Sequence, residues 1–250
     1  MPRRTAAPTL ALAAVLSACV LAGCSGTPAA TGEPKRVVVF AASSLVDSFE
    51  LLSERFEQAN PGTEVVVSFG GSTGLVQQLL QGAPADVLAT ADSETMALAA
   101  SVAAEPVAFA TNSLQLVVPL ANPAEVRSIA DLARPELAIA LCAPEVPCGA
   151  AAQRLLEAAG VVAMPDTLEQ HVRAVLTRVE LGEADAGLVY RTDALGSERV
   201  EVIELPVAAA IGNTYQLAAV DGSTAGTPFI DYVLSAEGQS ILEEAGFGRP

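Results

Sequence analysis

Short runs of β-branched and other apolar residues alternate along most of the chain with stretches in which apolar residues recur every three or four positions. The first run, 37–41, is followed by Leu45, Phe49, Leu52 and Phe56, which share one face of a helix. The same alternation continues down the chain. It is typical of an α/β fold in which parallel strands are joined by helical connections.

The pattern also predicts where the individual elements lie. Strands are predicted at 37–41, 64–69, 86–90, 113–119, 136–141, 186–190, 200–205 and 214–220. Helices are predicted after each of the first three strands, at a capping box Ser128-x-x-Asp131, at 149–159, at 172–181 and from Pro228 to Phe247. This number of elements is enough for one sheet or for two lobes that share a cleft.

Two of the strand-to-helix junctions have a similar composition. In 37–45 and in 65–75 an apolar run ends in small residues, and a serine, Ser44 or Ser72, stands where a helix is expected to begin. The unpaired backbone N–H groups of a helix start, together with a hydroxyl, bind an anion without any charged side chain. Glycines before Ser72 let successive N–H groups converge. The two junctions predict a small, highly charged ligand that is held by dipoles.

Both serines also have a purely structural interpretation. Ser44-x-x-Asp47 has the form of a capping box, in which the serine hydroxyl serves the third amide of the helix. Ser72 is explained in the same way if it caps the second helix. The sequence leaves this alternative open beside the anion site.

A third interpretation concerns function. The segment 70–74, Gly-Gly-Ser-Thr-Gly, matches the nucleophile elbow of α/β hydrolases and lies between a predicted strand and a predicted helix. The sole histidine, His171, comes later, with aspartates between, which gives the Ser–Asp–His order of such enzymes. His171 stands at a predicted helix start rather than in a late loop. A serine hydrolase that uses Ser72 and His171 is therefore the alternative, and we expect that the protein is not an enzyme.

The N-terminal end has the features of an export signal. Two arginines precede an apolar stretch at 6–21 that is too short for a membrane span. We predict a signal peptide at 1–23. The sequence Leu-Ala-Gly-Cys has the form of a lipoprotein box, so Cys24 is predicted to carry lipid, with 24–35 as a flexible tether. An ordinary secretory signal with an incidental Cys24 is the alternative.

The chain is strongly acidic, with 13 Lys+Arg against 29 Asp+Glu and a net charge of −16. Loss of Arg3 and Arg4 with the signal peptide leaves 11 against 29, a net charge of −18. Nucleic-acid binding calls for a basic surface, so we expect no nucleic-acid partner. An anion site in such a chain must act locally and at short range.

Two of the four cysteines, Cys142 and Cys148, remain after export and lipidation. An exported protein is in an oxidising setting, so we predict a disulfide between them if their Cα atoms come within about 4.4–6.8 Å. Two thiols without a neighbouring histidine are too few ligands for a metal ion. We expect neither a metal-ion site nor a cofactor.

Several short segments, in the same order along residues 36–248, resemble the molybdate-binding proteins of bacterial ABC importers, a family of two-lobed periplasmic binding proteins. The segments are VFAASSL (39–45), SFGGST (68–73), GAPADV (82–87) with AD (91–92), NSL (112–114), VPCG (146–149), VR (172–173) with VE (179–180), GLVYRTDA (187–194) and FIDY (229–232) with Ser235-x-x-Gly238-Gln239.

The resemblance implies a type II periplasmic-binding-protein fold, in which each lobe is a mostly parallel sheet flanked by helices and the ligand lies in the cleft between the lobes. Candidate donors in both halves of the chain also favour two lobes. We predict lobe 1 at 36–112 and 216–250, and lobe 2 at 113–215. The predicted hinge runs through two strands near 112–118 and 214–220, and we expect the lobes to be open without ligand.

The resemblance also implies the ligand and its binding residues. The family holds its tetrahedral oxyanion with neutral donors. At the matching positions, Ser44 and Ser72 would each offer a hydroxyl and a backbone N–H, Cys148 and Val172 a backbone N–H, and Tyr190 its phenol. The expected ligand is molybdate or tungstate, so that molybdenum is bound only as its oxyanion and not as a cation.

The remaining implications concern partners and neighbouring residues. The expected partners are the permease subunits of an ABC transporter, and the membrane through the lipid on Cys24. The protein is expected to be a monomer anchored on the extracytoplasmic face of the cell membrane. Ala91 is a second-rank candidate for the site. His171 stands where the family commonly has Asn or Asp, and we expect it to be a helix cap rather than a ligand.

Overall fold

The computed structural model describes residues 34–205 and 211–250. The predicted signal peptide at 1–23, the lipidation site Cys24 and the part of the tether before Pro34 lie outside these residues, so these three assignments stay predictions.

Nine strands and eight α-helices follow one another along the described residues. The strands are β1 (Lys35–Ala42), β2 (Thr63–Gly70), β3 (Val87–Thr90), β4 (Val107–Pro119), β5 (Ile139–Cys142), β6 (Thr167–Glu169), β7 (Ala186–Tyr190), β8 (Val200–Ile203) and β9 (Gly212–Ala219). The helices are α1 (Val46–Ala59), α2 (Ser72–Leu80), α3 (Ser93–Ala97), α4 (Pro147–Ala159), α5 (Val172–Glu180), α6 (Arg191–Leu195), α7 (Thr227–Leu234) and α8 (Ala236–Glu244). Two short 3-10 helices lie at Ser43–Leu45 and Ile129–Ala133.

The apolar pattern predicted most of these elements because it records which face is buried. Helix α1 buries Phe49, Leu52 and Phe56 on one side, as the spacing requires. The predicted capping box is present, with the side chains of Ser128 and Asp131 each accepting a backbone N–H at the start of the second 3-10 helix.

The structure differs from the prediction at four places. Strand β4 begins at Val107, six residues earlier than expected, because the segment before Ser113 pairs with β9. Strand β6 and helix α6 were not predicted. The C-terminal helical segment is two helices, which meet at Ser235; its hydroxyl accepts the Gly238 N–H and so caps α8.

The strands form one mixed sheet in the order β2-β1-β3-β9-β4-β7-β5-β6, with β8 also paired to β4. Pairing is parallel in β2-β1-β3 and in β7-β5-β6. Strands β9 and β4 join these two parallel groups and pair antiparallel with each other and with both groups. We call β1–β3 with α1 and α2 the N-terminal region, and β5–β7 with α4, α5 and α6 the central region. The chain is therefore an α/β fold in which two parallel groups share two long crossing strands.

Buried aromatic rings pack against one another in the core. Tyr215 on β9 packs against Phe109, Tyr190 and Phe247, with ring centroids 6.1, 5.8 and 5.4 Å apart. Tyr190 and Tyr215 are 1% and 0% exposed, so both phenols have fixed positions. Within the described ranges, no helix combines the length and the apolar character that a membrane crossing needs.

Candidate functional site

A small pocket lies where the N-terminal and central regions meet, and all five residues predicted for the site line it: Ser44, Ser72, Cys148, Val172 and Tyr190. The other lining residues are Ala42, Ser43, Gly70, Gly71, Ala91, Val146, Pro147, Gln170 and His171. The enclosed cavity has a volume of about 10 Å³, which is roughly what a single water-sized group needs. The pocket suits a small ion.

Ser72 is the first residue of α2 rather than its cap. The helix is preceded by Gly71 and has no side-chain cap. The Ser72 hydroxyl instead accepts the backbone N–H of Ala91 at 3.1 Å, so the cap interpretation of this serine is wrong. Because the oxygen of Ser72 is already an acceptor, its hydroxyl hydrogen remains free to donate to another group.

Ser44 lies in the 3-10 helix that leads into α1. Its Oγ is 2.9 Å from the phenol oxygen of Tyr215, and no side chain caps either this turn or α1. The capping-box interpretation of Ser44-x-x-Asp47 is therefore wrong. Both hydroxyls of the N-terminal region bond to groups around the pocket and not to the helix they introduce.

The central region presents two helix starts to the pocket. Val172 is the first residue of α5, and Cys148 follows Pro147 at the start of α4. Backbone N–H groups in the first turn of a helix have no acceptor within the helix, and α4 has no side-chain cap. Both N–H groups are thus available to an anion in the pocket.

Three contacts hold these helix starts in place. Cys142 and Cys148 form a disulfide with a Cα–Cα distance of 5.7 Å, within the predicted range. Gly149 packs so closely on the loop before α4 that a Cβ there would collide with the carbonyl oxygen of Ala143. His171 caps α5, because its Nδ1 accepts the Ala174 N–H at 3.2 Å, as expected from the sequence.

Tyr190 is the last residue of β7 and lines the pocket. The Asn213 side-chain Nδ2 donates to the Tyr190 oxygen at 2.7 Å. Burial raises the pKa of Tyr190 well above its ordinary value, and the neighbouring Tyr215 adds to the effect. Tyr190 therefore stays protonated and neutral, as a hydrogen-bond donor requires.

Charged side chains lie next to the pocket but do not line it. None of the lining residues is Asp, Glu, Lys or Arg. Next to Val172, Arg173 contacts Asp47 of α1 and lies 2.8 Å from the fully buried carboxylate of Asp193. Burial raises the pKa of Asp193 to about 7, although the Arg173 charge acts in the opposite direction.

The two regions touch around the pocket. A Cβ at Gly71 would collide with the carbonyl oxygen of Gln170, so only glycine allows this approach. Nearby, the Thr73 hydroxyl donates to the Glu145 carbonyl at 3.0 Å. The Gly-rich junction thus brings α2 against the central region, in addition to presenting N–H groups.

The geometry does not form a hydrolase triad. Among the described residues no hydrogen bond joins Ser72 to His171, because the Ser72 oxygen accepts from Ala91 and the His171 Nδ1 accepts from Ala174. With Nδ1 used as a helix cap, no carboxylate within 34–205 or 211–250 hydrogen-bonds to the His171 ring as a triad requires. In the same part of the chain, no group of three or more His, Cys, Asp or Glu side chains is arranged to hold a metal ion.

Asn213 and Tyr215 are the polar neighbours of the site that sequence reasoning missed. Both lie on β9, and Tyr215 is 171 residues from Ser44 in the chain. Their one signal in the sequence is the presence of polar groups in an otherwise apolar strand pattern, which does not indicate what they contact.

Comparison with known proteins identifies the family of the chain. The sequence model of the family described as bacterial extracellular solute-binding protein matches residues 37–248. The chain is 40% identical over 247 residues to the molybdate-binding protein ModA of Mycobacterium tuberculosis, covering 96% of this chain and 95% of that protein. It is 31% identical over 239 residues to the molybdate-binding protein ModA of Escherichia coli, covering 87% and 91%.

A solved structure shows the same fold. The periplasmic molybdate-binding protein of Azotobacter vinelandii superposes with a TM-score of 0.73 at 21% sequence identity, over 86% of this chain and 99% of that one. At this level of identity the likeness concerns the fold, which is that of the two-lobed type II periplasmic binding proteins.

Proposed function

The chain belongs to the family of bacterial extracellular solute-binding proteins, and from this premise we propose that it captures molybdate or tungstate and delivers the ion to the permease of an ABC transporter. In this proposal the hydroxyls of Ser44, Ser72 and Tyr190 and the backbone N–H groups of Cys148 and Val172 bind the ion in the pocket between the regions. The ion is the cargo and undergoes no chemical change.

The direction of the hydrogen bonds at the pocket hydroxyls carries the proposal. The Ala91 N–H donates to the Ser72 oxygen at 3.1 Å, and the Asn213 amide donates to the Tyr190 oxygen at 2.7 Å. In each case a protein donor occupies the hydroxyl oxygen, and the hydroxyl hydrogen is left for another acceptor. A pocket of this kind suits a ligand whose polar atoms are all acceptors.

A fully ionised tetrahedral oxyanion is such a ligand. A buried dianion without a counter-ion is tolerated only when its oxygens are hydrogen-bonded, and charge-assisted hydrogen bonds of about 1.5–3 kcal/mol each offset the loss of water. Hydrogen phosphate brings a proton, and the lining residues include no carboxylate to accept it. Molybdate and tungstate bring none.

The names of the relatives support the choice of ion, since ModA of Mycobacterium tuberculosis and ModA of Escherichia coli are both described as molybdate-binding. We further propose that the protein acts as a monomer, held on the extracytoplasmic face of the membrane by lipid on Cys24. Lobe 1 is assigned to 36–112 and 216–250 and lobe 2 to 113–215. Closure around the ion occurs by bending in β4 and β9, the two strands that join the parallel groups.

Calorimetric titration with molybdate tests the proposal. Ser72→Ala removes one donor, and we expect the affinity to fall by about 10- to 100-fold, the value of one charge-assisted hydrogen bond. Ser48→Ala is the matched control. Ser48 is a buried serine of α1 that donates to the Leu45 carbonyl at 3.1 Å and does not line the pocket, so its loss should leave the affinity unchanged.

Competition with tungstate, sulfate and phosphate completes the test. Tungstate should displace molybdate efficiently, whereas phosphate should compete poorly because of its proton. A wild-type protein that binds neither molybdate nor tungstate, or equal losses of affinity in the two serine variants, would contradict the proposal.

A further inference from the structure

A line of three hydrogen-bonded side chains runs from the protein surface to the hydroxyl of Tyr190, a residue that lines the pocket. The Arg154 Nη2 donates to the Asn213 Oδ1 at 2.7 Å, and the Asn213 Nδ2 donates to the Tyr190 oxygen at 2.7 Å. Asn213 is 3% exposed and Tyr190 1% exposed, so the last two members are held without water. The same Nδ2 lies 3.4 Å from the Pro147 carbonyl at the start of α4.

The chemistry of the three groups fixes the direction of every hydrogen bond in this line. A guanidinium group has five donors and no acceptor. The Asn213 atom that faces Arg154 must therefore be its carbonyl oxygen, which leaves the amide NH₂ facing Tyr190. Because that NH₂ can only donate, the Tyr190 oxygen must accept, and the phenol hydrogen has to point elsewhere.

From this we propose that Arg154 and Asn213 are positioning residues that fix Tyr190 as a hydrogen-bond donor toward the pocket, and thereby make the site reject oxyanions that carry a proton. The inference rests on the proposed function and deepens it, since it assigns the preference for fully ionised oxyanions to two residues that do not line the pocket. The Arg154 charge acts through the orientation of the amide and not through contact with the ion.

One protein acceptor competes with the ligand for the Tyr190 hydrogen. The phenol ring of Tyr215 packs against that of Tyr190. Burial raises the pKa of Tyr215, and its hydroxyl neighbours Ser44 and Tyr190 act in the opposite direction. An oxyanion is the stronger acceptor because the hydrogen bond to it is charge-assisted. When the ion binds, Tyr190 donates to it. The Tyr215 hydroxyl still has Ser44 Oγ at 2.9 Å as its partner.

The substitution Asn213→Asp tests the direction of the line. A carboxylate accepts from both sides, so it keeps the Arg154 contact but takes the Tyr190 hydrogen for itself. The Tyr190 oxygen then presents lone pairs to the pocket. We expect molybdate affinity to fall by roughly tenfold or more, the value of one charge-assisted hydrogen bond. The preference for molybdate over phosphate should fall by a similar factor, because phosphate now finds an acceptor for its proton.

A double-mutant cycle with Tyr190→Phe separates this effect from the added charge. Without the phenol there is no hydrogen to redirect, so Asn213→Asp in the Tyr190→Phe background should show only the smaller loss due to repulsion of the ion. Equal losses in both backgrounds would overturn the inference. If the wild-type protein does not bind molybdate at all, the proposed function fails. If it binds molybdate but the losses are equal in the two backgrounds, only this inference fails.

Arg154→Met provides a second variant that the fold tolerates, since Arg154 is exposed on α4. Loss of the guanidinium lets the amide rotate, and we expect a several-fold loss of molybdate affinity that disappears in the Tyr190→Phe background. Arg36→Met is the charge-matched control, because Arg36 is an exposed arginine that pairs with Glu64 and does not line the pocket. An equal loss in the Arg36 and Arg154 variants would show a general charge effect and contradict the inference.

Discussion

The N-terminal region reaches the pocket through junctions with no side-chain cap, whereas the central region reaches it through helix starts that several other residues hold in place. On the N-terminal side, Ser44 and Ser72 each stand two positions after the end of a strand. Their hydroxyls bond to Tyr215 and to the Ala91 N–H. On the central side a disulfide, a histidine cap and a tightly packed glycine fix the starts of α4 and α5. One side depends on local backbone geometry, and the other depends on contacts around it.

Two glycines make this comparison concrete, because each is the third residue of a helix that begins at the pocket. Gly74 occupies this place in α2 and Gly149 in α4. A Cβ added at Gly74 meets nothing within 4 Å, whereas one at Gly149 collides with the Ala143 carbonyl. The same position is open in the N-terminal region and filled in the central region.

The largest expected effect is therefore on the stability of the central side. Gly149→Ala forces a Cβ against the backbone of the loop closed by Cys142 and Cys148, which cannot easily move. We expect a loss of about 3 kcal/mol in the free energy of unfolding, or roughly 6–12 °C in melting temperature. Thermal unfolding without ligand measures it.

Gly74→Ala is the matched control for that experiment. Alanine is a better helix former than glycine, so this variant should be as stable as the wild type or more stable by up to about 1 kcal/mol. Comparable destabilisation by both substitutions would mean that the two helix starts are equally constrained, and the contrast between the regions would be wrong.

The next effect concerns the contact between the two regions. In Gly71→Ala the new Cβ collides with the Gln170 carbonyl, but the collision lies between the regions and is relieved if they move apart. We expect little change in the melting temperature without ligand and a loss of molybdate affinity of about 100-fold, because the variant must be strained to close. Calorimetry and ligand-dependent thermal shifts measure the two quantities.

Gly71→Ala is thus expected to weaken ligand binding, whereas Gly149→Ala is expected to lower the melting temperature. If Gly71→Ala lowers the unliganded melting temperature as much as Gly149→Ala does, the Gly71 contact belongs to the permanent core of the protein. Closure by relative movement of the regions would then be contradicted.

The same contrast explains what could be predicted from the sequence. Strands β1 and β2 and the two serine junctions were predicted from local patterns, since apolar runs report burial and a hydroxyl after small residues marks a helix start. Strand β6, with three residues, and helix α6, with five, are too short to show a period.

The long-range contacts of the central side could not be predicted in this way. Cys148, Val172 and Tyr190 were assigned through resemblance to a family, and the structure brings all three to the pocket. Asn213 reaches Tyr190 across 23 positions of the chain and contacts Arg154 across 59. Such contacts depend on how β9 crosses the sheet, and no local pattern records that.

The smallest expected effect is a pH dependence of the stability, which comes from Asp193 in the central region. Asp193 of α6 lies buried behind Tyr190, and burial raises its pKa from 3.8 to about 7 despite the Arg173 charge. Between these two values the folded protein holds a proton on Asp193 that the unfolded chain has released. This contribution to stability is present at low pH and is lost as the pH rises through the folded-state pKa.

We therefore expect the free energy of unfolding of the wild type to fall by about 1 kcal/mol per pH unit between roughly pH 5 and 7, as measured by urea unfolding. The Asp193→Asn variant should not show this fall. Asp131→Asn is the control. The backbone N–H of Arg127 lowers the pKa of Asp131, so that carboxyl titrates below this range and its loss should leave the slope unchanged. Parallel stability curves for the wild type and the Asp193 variant would mean that the Asp193 carboxylate is ionised at neutral pH as an ordinary partner of Arg173. The central side would then be held by a complete ion pair between Arg173 and Asp193, and not by a buried protonated carboxyl.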